Sequence, residues 1–544
     1  MSQWGDIYPG VQMGVRVLTS SLFLVASILA LPGYGQPDKN RLIVRFKEGI
    51  NSFSADTIHQ ALGIESSKKL NQIGKVEVIE LPQHISFKEA QKFYADNPNV
   101  LYAEPDFKIR IDPIATRARV KSTPYSQQWA LENLGQKVGK FTGKEDADIN
   151  APEAWKVTKG DREVVLGIID TGIFYTHPDL KDNIWENSAE IVGNGKDDDG
   201  NGFVDDIHGI NALNRSGDPL DDNGHGTHVS GIMGASGLKG KGVFGVNQKV
   251  LIVGCKFLDS EGNGSMSDAL ICMDYFAKLK TREENPVNLV AINASWGGPG
   301  SSRAMKDAIQ ALGDLGILFV VAAGNDSLDN DRVSNFPANY KLANIISVAA
   351  TNNRDELAYF SNYGRRSVHV GAPGMDIMST YLGDGYEIFS GTSMAAPYVT
   401  GLIGLLKSSD SDLNWKQLKN LVIAGGSKLD ILSEKTISGR RIRAADEEGR
   451  GSLTCDKQRF SSRLSPQSSI VSAKVGDAVE FSVLKIRCGD ADDAPKMTVN
   501  MGRTVDFLDL DQDGVYSAQW IADAPGEYDF DLGDTEKVTV HVTQ

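Results

Sequence analysis

The sequence predicts an α/β protein built on a doubly wound, mostly parallel sheet, with a small α/β domain before it and a small β-sandwich after it. Three observations carry this expectation. Apolar, β-branched runs at 164–169, 287–292 and 318–324 show no alternation, as strands buried on both faces of a parallel sheet require. The apolar stretch 394–406 reads as a buried helix. Beyond residue 453 the pattern changes to short strands, at 478–484, 496–500, 514–521, 526–532 and 537–542, separated by Gly, Pro and Asp.

The 544 residues leave room for about three domains. Residues 1–35 carry Arg16, a short apolar run at 17–31 and then Gly33-Tyr34-Gly35. This is the pattern of a secretory signal, and the run is short for a membrane span. The expected destination is extracellular or periplasmic, with no membrane contact in the mature form. Residues 36–123 form the next unit. Strands are expected at 42–46, 76–81 and 100–111, and helices at 56–62 and 87–94. Ser86 and Glu89 make a capping box that fixes the second helix start. The stretch 117–123 is basic, polar and without periodicity, and reads as an exposed linker.

Residues 124–448 hold the chemistry-bearing segments. The strand 164–169 runs into Asp170-Thr171-Gly172, so Asp170 stands at a strand's carboxyl end, where open α/β sheets bind ligands. His225 opens an apolar helix in which Gly231, Gly234 and Ala235 permit close packing. The strand 287–292 leads to Asn293-Ala294-Ser295-Trp296-Gly297-Gly298, and the strand 318–324 ends in Gly324-Asn325. Ser393 precedes the apolar stretch 394–406, where unpaired N–H groups and the helix dipole favour a developing negative charge. Taken singly, such a serine reads as a helix cap, such an aspartate as a turn residue and such a histidine as a surface residue. A serine becomes a nucleophile only beside a base that is itself oriented. This chain offers that set in the order Asp170, His225, Ser393, with His177 and His228 also of the right type for the base.

Asp170-Thr171-Gly172, His225-Gly226-Thr227-His228 and Gly391-Thr392-Ser393-Met394-Ala395-Ala396-Pro397 resemble the three signature segments of the subtilisin-like serine peptidases, over roughly 127–446. The resemblance implies Ser393 as nucleophile, His225 as base and Asp170 as its orienter. It implies an oxyanion hole from the Asn325 amide and the Ser393 N–H. Ser295, Trp296, Gly297 and Gly324 are expected to line the peptide groove, the first three by pairing with an extended substrate. The run 99–106 resembles the end of the inhibitory prodomain of that family. Residues 36–123 are thus expected to act as an intramolecular inhibitor that the enzyme removes itself. The expected function is a secreted, self-processing serine endopeptidase acting on protein or peptide substrates through an acyl-enzyme. The competing expectations are a regulatory protease with one dedicated target and a catalytically silent binding scaffold.

A net charge of −15 argues against a nucleic-acid partner. Part of the acidity concentrates in the loop 194–206, where Asp197, Asp199, Asn201 and the Phe203 carbonyl match the first ligand positions of an EF-hand-like loop. A structural Ca²⁺ is expected there. Position twelve is His208 rather than Glu, so Asp205 or Asp206 has to close the site. Cys255 and Cys272 sit in apolar patterns and read as buried thiols. Cys455 and Cys488 fall within the C-terminal unit, 453–544, and are candidates for one disulfide.

Overall fold

The computed structural model describes residues 37–111, 114–119, 125–237, 242–446, 451–455, 460–465, 470–487, 496–499, 503–506, 515–531 and 537–544. The expected signal segment lies outside them.

The N-terminal domain comprises β1 (Pro37–Phe46), α1 (Ser52–Gln60), β2 (Ser67–Leu70), β3 (Val76–Glu80), α2 (Phe87–Asp96) and β4 (Val100–Arg110). Its sheet is antiparallel, in the order β4-β1-β3-β2. The capping box is present: Ser86 accepts from the Glu89 N–H while Glu89 accepts from the Ser86 N–H. One sheet face packs on α1 and α2 through Leu42, Val44, Ala90 and Tyr94. Ile43, Tyr102 and Ile109 belong to a core shared with the next domain. The stretch expected to be a linker begins instead as a strand, β5 (Ile114–Arg119). The remainder, 120–123, lies outside the described residues.

The central domain is a nine-stranded sheet. In chain order its strands are β6 (Val165–Asp170), β7 (Gly209–Asn211), β8 (Leu251–Lys256), β10 (Leu289–Ala294), β11 (Leu318–Ala322), β12 (Ile345–Thr351), β13 (Val370–Pro373), β16 (Ser427–Lys428) and β17 (Arg440–Arg441). The numbers β9, β14 and β15 belong to Asn263–Ser265, Ile377–Tyr381 and Gly385–Ser390, outside this sheet. The order across the sheet is β16-β17-β13-β12-β11-β10-β6-β8-β7, and every pairing but β16–β17 is parallel. Strand β6 is buried throughout. Its Leu166 and Ile168 face one core with residues of α3 (His225–Gly234), α6 (Thr392–Ser409) and α7 (Trp415–Ala424). Its Val165 and Ile169 face the other, with α4 (Met266–Thr281) and α5 (Arg303–Asp314). Burial on both faces is why these strands show no polar alternation.

Cys255 and Cys272 are joined as a disulfide between β8 and α4, correcting the expectation of two thiols. Both are fully buried, so their surroundings are as apolar as those of a thiol would be. The C-terminal unit has a three-stranded and a five-stranded sheet around Phe481, Phe530, Val538 and Val540. Cys455 is disulfide-bonded; Cys488 lies outside the described residues. No helix among the described residues is long and apolar enough to cross a membrane.

Candidate active site

Asp170 ends β6 with its side chain fully buried. Its Oδ1 accepts from the Thr171 N–H at 2.7 Å and from His225 Nδ1 at 2.7 Å. Its Oδ2 is buried with no hydrogen-bond partner, so an uncompensated carboxylate oxygen stands beside the imidazole. The approach of α3 to β6 depends on Gly226. A Cβ there would lie 2.1 Å from Gly172 O and 3.2 Å from Asp170 Cβ. Asp221 holds the start of α3, accepting from the N–H groups of Asn223, Gly224 and Thr227 and from the Thr227 hydroxyl. Local spacing does not announce that role, because the cap position is Gly224 and Asp221 lies three residues before it.

The other two histidines are structural. His228 is buried, stacks on Phe389 and bonds through Nε2 to the carbonyls of Ile377 and Glu387. Burial pushes its pKa down to about 3, so the ring is neutral. His177 bonds to Gly385 O through Nε2 and accepts the Asp179 N–H on Nδ1; burial lowers its pKa too.

Helix α6 starts from Gly391, which places Ser393 in its first turn rather than at the cap. The first turn is tied to β10 from below. Thr400 donates to Asn293 Oδ1, Asn293 Nδ2 to Ser295 Oγ, and Ser295 Oγ to Ser393 O at 2.8 Å. The Ser393 hydroxyl donates to Ser295 O at 3.1 Å, and among the described residues it makes no hydrogen bond to His225. Asn325 follows Gly324, whose φ is +114°. Asn325 Oδ1 accepts from both the N–H and the hydroxyl of Thr392, at 2.9 Å each. That fixes the amide so that its nitrogen shares a space with the Ser393 N–H. A Cβ built on Gly391 would stand 3.6 Å from each of these two nitrogens. Gly391 therefore faces both nitrogens with no side chain of its own between them.

The chain's own residues pair along β9 (Asn263–Ser265) and Gly297. Lys108, Ile109 and Arg110 of β4 pair antiparallel with β9 (Asn263–Ser265), and Arg110 bridges to Gly297. The Ile111 N–H donates to Gly262 O at 3.0 Å. Farther along the chain, β5 pairs antiparallel with β15 (Gly385–Ser390), the strand that runs into α6. Trp296 is buried, bonds through Nε1 to Ile169 O, and borders an apolar cavity with Met266, Tyr340, Phe107 and Ile109. Two carboxylates of β4 dock on helix starts. Glu104 accepts from the Ser302 hydroxyl and from the N–H groups of Arg303 and Ala304 at the head of α5. Asp106 accepts from the N–H and hydroxyl of Ser267 at the head of α4. Both positions favour anions. Burial pushes the Asp106 carboxyl up to about 6.

In the acidic loop the structure brings Asp199 and Asp206 together with Glu190, their carboxylate oxygens all within 4.8 Å of one another. Asp197 instead accepts the N–H groups of Asn201 and Gly202; the Asn201 side chain links the Phe203 N–H to Asp206. Glu190 lies before the motif in sequence, beyond its periodic spacing. Burial is the main cause of the raised pKa values of Glu190 and Asp206, the latter to about 7. Three converging oxygen donors, two of them held up in pKa, fit a hard divalent cation. Arg282 and Tyr275 cover part of the charge, through Asp199 and Asp206.

Residues 161–437 match the Subtilase family and residues 27–106 the Fervidolysin N-terminal prodomain. The chain is 37% identical to Subtilisin-like protease 1 of Plasmodium berghei over 297 residues, 49% of this chain and about half (48%) of that relative. It is 32% identical over 380 residues to the Thermophilic serine proteinase of Bacillus sp. strain AK1, covering 68% of this chain and 78% of the relative. Fervidolysin from Fervidobacterium pennivorans, described as a keratinolytic enzyme related to subtilisin, has a similar fold, with a TM-score of 0.57 and 20% identity over 91% of this chain and 72% of its own. By these matches, and with a domain of the fervidolysin prodomain type ahead of its nine-stranded sheet, the chain belongs to the subtilase family.

Proposed function

We propose that this protein is an exported, self-processing serine endopeptidase. The observation that carries the reading is the buried 2.7 Å bond from His225 Nδ1 to Asp170 Oδ1 at the end of β6, with Ser393 in the first turn of α6, a helix that shares one core with α3. Ser393 Oγ attacks the scissile carbonyl and its proton passes to His225 Nε2. The Asp170 carboxylate holds the Nδ1–H tautomer and stabilises the imidazolium. The oxyanion forms beside Gly391, facing Asn325 Nδ2 and the Ser393 N–H. His225 then returns the proton to the departing amine, and water cleaves the acyl-enzyme by the same steps. The Ser393 hydroxyl has to turn from Ser295 O toward His225 for attack.

Residues 36–123 act as inhibitor by laying 108–111 in the groove, and they are removed by the enzyme itself. Export follows from the pattern of residues 1–35. Glu190, Asp199 and Asp206 would hold a calcium ion, which supplies charge neutralisation to the loop and no step of the reaction.

Ser393→Ala is expected to abolish casein hydrolysis and to accumulate the unprocessed chain. Equal casein and peptide hydrolysis by wild type and mutant would overturn the endopeptidase reading. Normal processing of the mutant would assign maturation to another protease.

A further inference from the structure

Lys256 is a buried cation with no step of its own in the reaction. It ends β8 and stands opposite Asp170 in the register of β8 with β6. Its side chain is 4% exposed. An ammonium is costly to bury unless its three donors are met. Here all three are. Nζ donates to Thr171 O at 2.9 Å, to Leu258 O at 2.6 Å and to Asp222 Oδ1 at 2.6 Å. The acceptors belong to three segments. Thr171 directly follows Asp170. Leu258 lies between β8 and β9 and bridges to Gly264. Asp222 lies in the loop before α3, in which Asn223 Oδ1 accepts the His225 N–H.

The segment of Asp170 and the loop before His225 are also packed directly together. A Cβ on Gly172 would stand 2.3 Å from Pro219 O and 3.0 Å from Asp221 N. The Ile173 N–H donates to Pro219 O, and the Asp221 N–H to Ile173 O. Lys256 adds a charged tie between the same two segments. The groups able to carry charge on the elements around His225 are Asp170 of β6, Asp221 and Asp222 of the loop, His228 of α3, Tyr381 and Glu387 of the β14–β15 hairpin, and Lys256 with Asp259 on the β8 side. Burial keeps His228 neutral, so Lys256 is the cation of this set.

We propose that Lys256 is a positioning residue of the catalytic pair: its buried ammonium ties the strand end that carries Asp170 to the loop that carries His225, and together with Asp222 it sets the charge at the imidazole. The inference rests on the endopeptidase reading above. The two charges act in opposite senses. Without the Lys256 charge, Asp222 is left unopposed and favours the imidazolium. Without the Asp222 charge, the ammonium is left unopposed and disfavours it.

The test uses the full chain after it has processed to completion, with kcat and KM for one peptide measured across the pH range of activity. The variants are Lys256→Met, Lys256→Arg and Asp222→Asn. The readout is the pH of half-maximal kcat/KM on the acid side, which does not depend on how much of the enzyme is folded. Lys256→Met is expected to raise it by about half a pH unit, and Asp222→Asn to lower it by about as much. Lys256→Arg keeps the charge and is expected to keep the wild-type value. At the optimum, Lys256→Met should lose about tenfold in kcat with KM little changed, because a misplaced pair is felt in turnover. An acid half-maximum that stays in place in Lys256→Met, or that moves the same way in Lys256→Met and Asp222→Asn, overturns the proposal and leaves the endopeptidase reading standing. Asp222 is 56% exposed, so its variant decides alone where Lys256→Met yields no mature enzyme. In that case an Asp222→Asn half-maximum that does not fall below the wild-type value overturns the proposal. Failure of the wild type to cleave any peptide or casein removes the endopeptidase reading itself, and the proposal with it.

Discussion

At the scale of single residues, the site is a set of side chains each fixed by a partner that does not react. Asp170 is anchored by the Thr171 N–H, His225 by Asp170, the Asn325 amide by Thr392, and the Ser393 backbone by Ser295. If Asn325 donates to the oxyanion, its loss must be felt in turnover more than in substrate binding. Asn325→Ala is expected to lower kcat by about 10²–10³, the range measured for one such donor in a subtilisin, with KM little changed. Steady-state kinetics on one peptide decide this, and a change confined to KM would move Asn325 out of the oxyanion role. Asp170, His225 and Ser393 were legible in the sequence because each sits at a strand end or helix start that local pattern reveals. Asp221, Asn293 and Thr400 were not, because they act through bonds whose partners are set by tertiary packing. Glu190 escaped for the same reason: its carboxylate reaches Asp199 and Asp206 across a loop with no fixed spacing.

Among the elements, the buried strands declared themselves through unbroken apolar runs. The misses have physical causes. Strand β2, Ser-Lys-Lys-Leu, buries one residue of four and carries little hydrophobic signal. Strand β5, Ile-Ala-Thr-Arg-Ala-Arg, has no apolar run, and it pairs at the edge of a three-stranded sheet. Cys255 and Cys272 each look like apolar filler, and nothing in local pattern shows that β8 and α4 meet. Their bridge spans a sequence separation of 17 and is expected to contribute about 3 kcal/mol through loop closure. Replacing both cysteines with serine should lower the denaturant midpoint accordingly, and an unchanged midpoint would mean that the bridge adds nothing to stability. The contact of β4 with α4 carries a pH dependence. The Asp106 carboxyl, at about 6 when docked against an ordinary value of 3.8, takes up a proton on docking. Its contribution to docking is greatest at low pH and falls as pH rises from about 4 to about 6. Inhibition by separately added prodomain should weaken across that window by one to two powers of ten, each pKa unit being worth about 1.4 kcal/mol. Asp106→Asn should flatten the slope, and an equal slope in the mutant would place the titration elsewhere.

Across the whole molecule, the three-part architecture was legible from the change in apolar pattern along the chain, whereas the way the parts meet was not. The N-terminal domain completes the heads of two helices in the central one, an arrangement no local spacing encodes. Metal dependence also belongs to this scale, since the Glu190 loop leans on α4 through Tyr275 and Lys278. Chelation is expected to lower Tm. Because Asp206 titrates near 7 without a cation, calcium uptake should release protons and tighten as pH rises through 7. A melting temperature indifferent to both chelator and calcium would remove the ion from the loop. The bridge between β8 and α4 also has a consequence for timing. Both sulfurs lie at 0% exposure, under the packed face of the sheet. No oxidant or small thiol reaches them once the sheet has closed, so the bond must be made while the chain is still open. A chain that folds first in a reducing compartment would carry two stranded thiols, and later oxidation would come too late to join them.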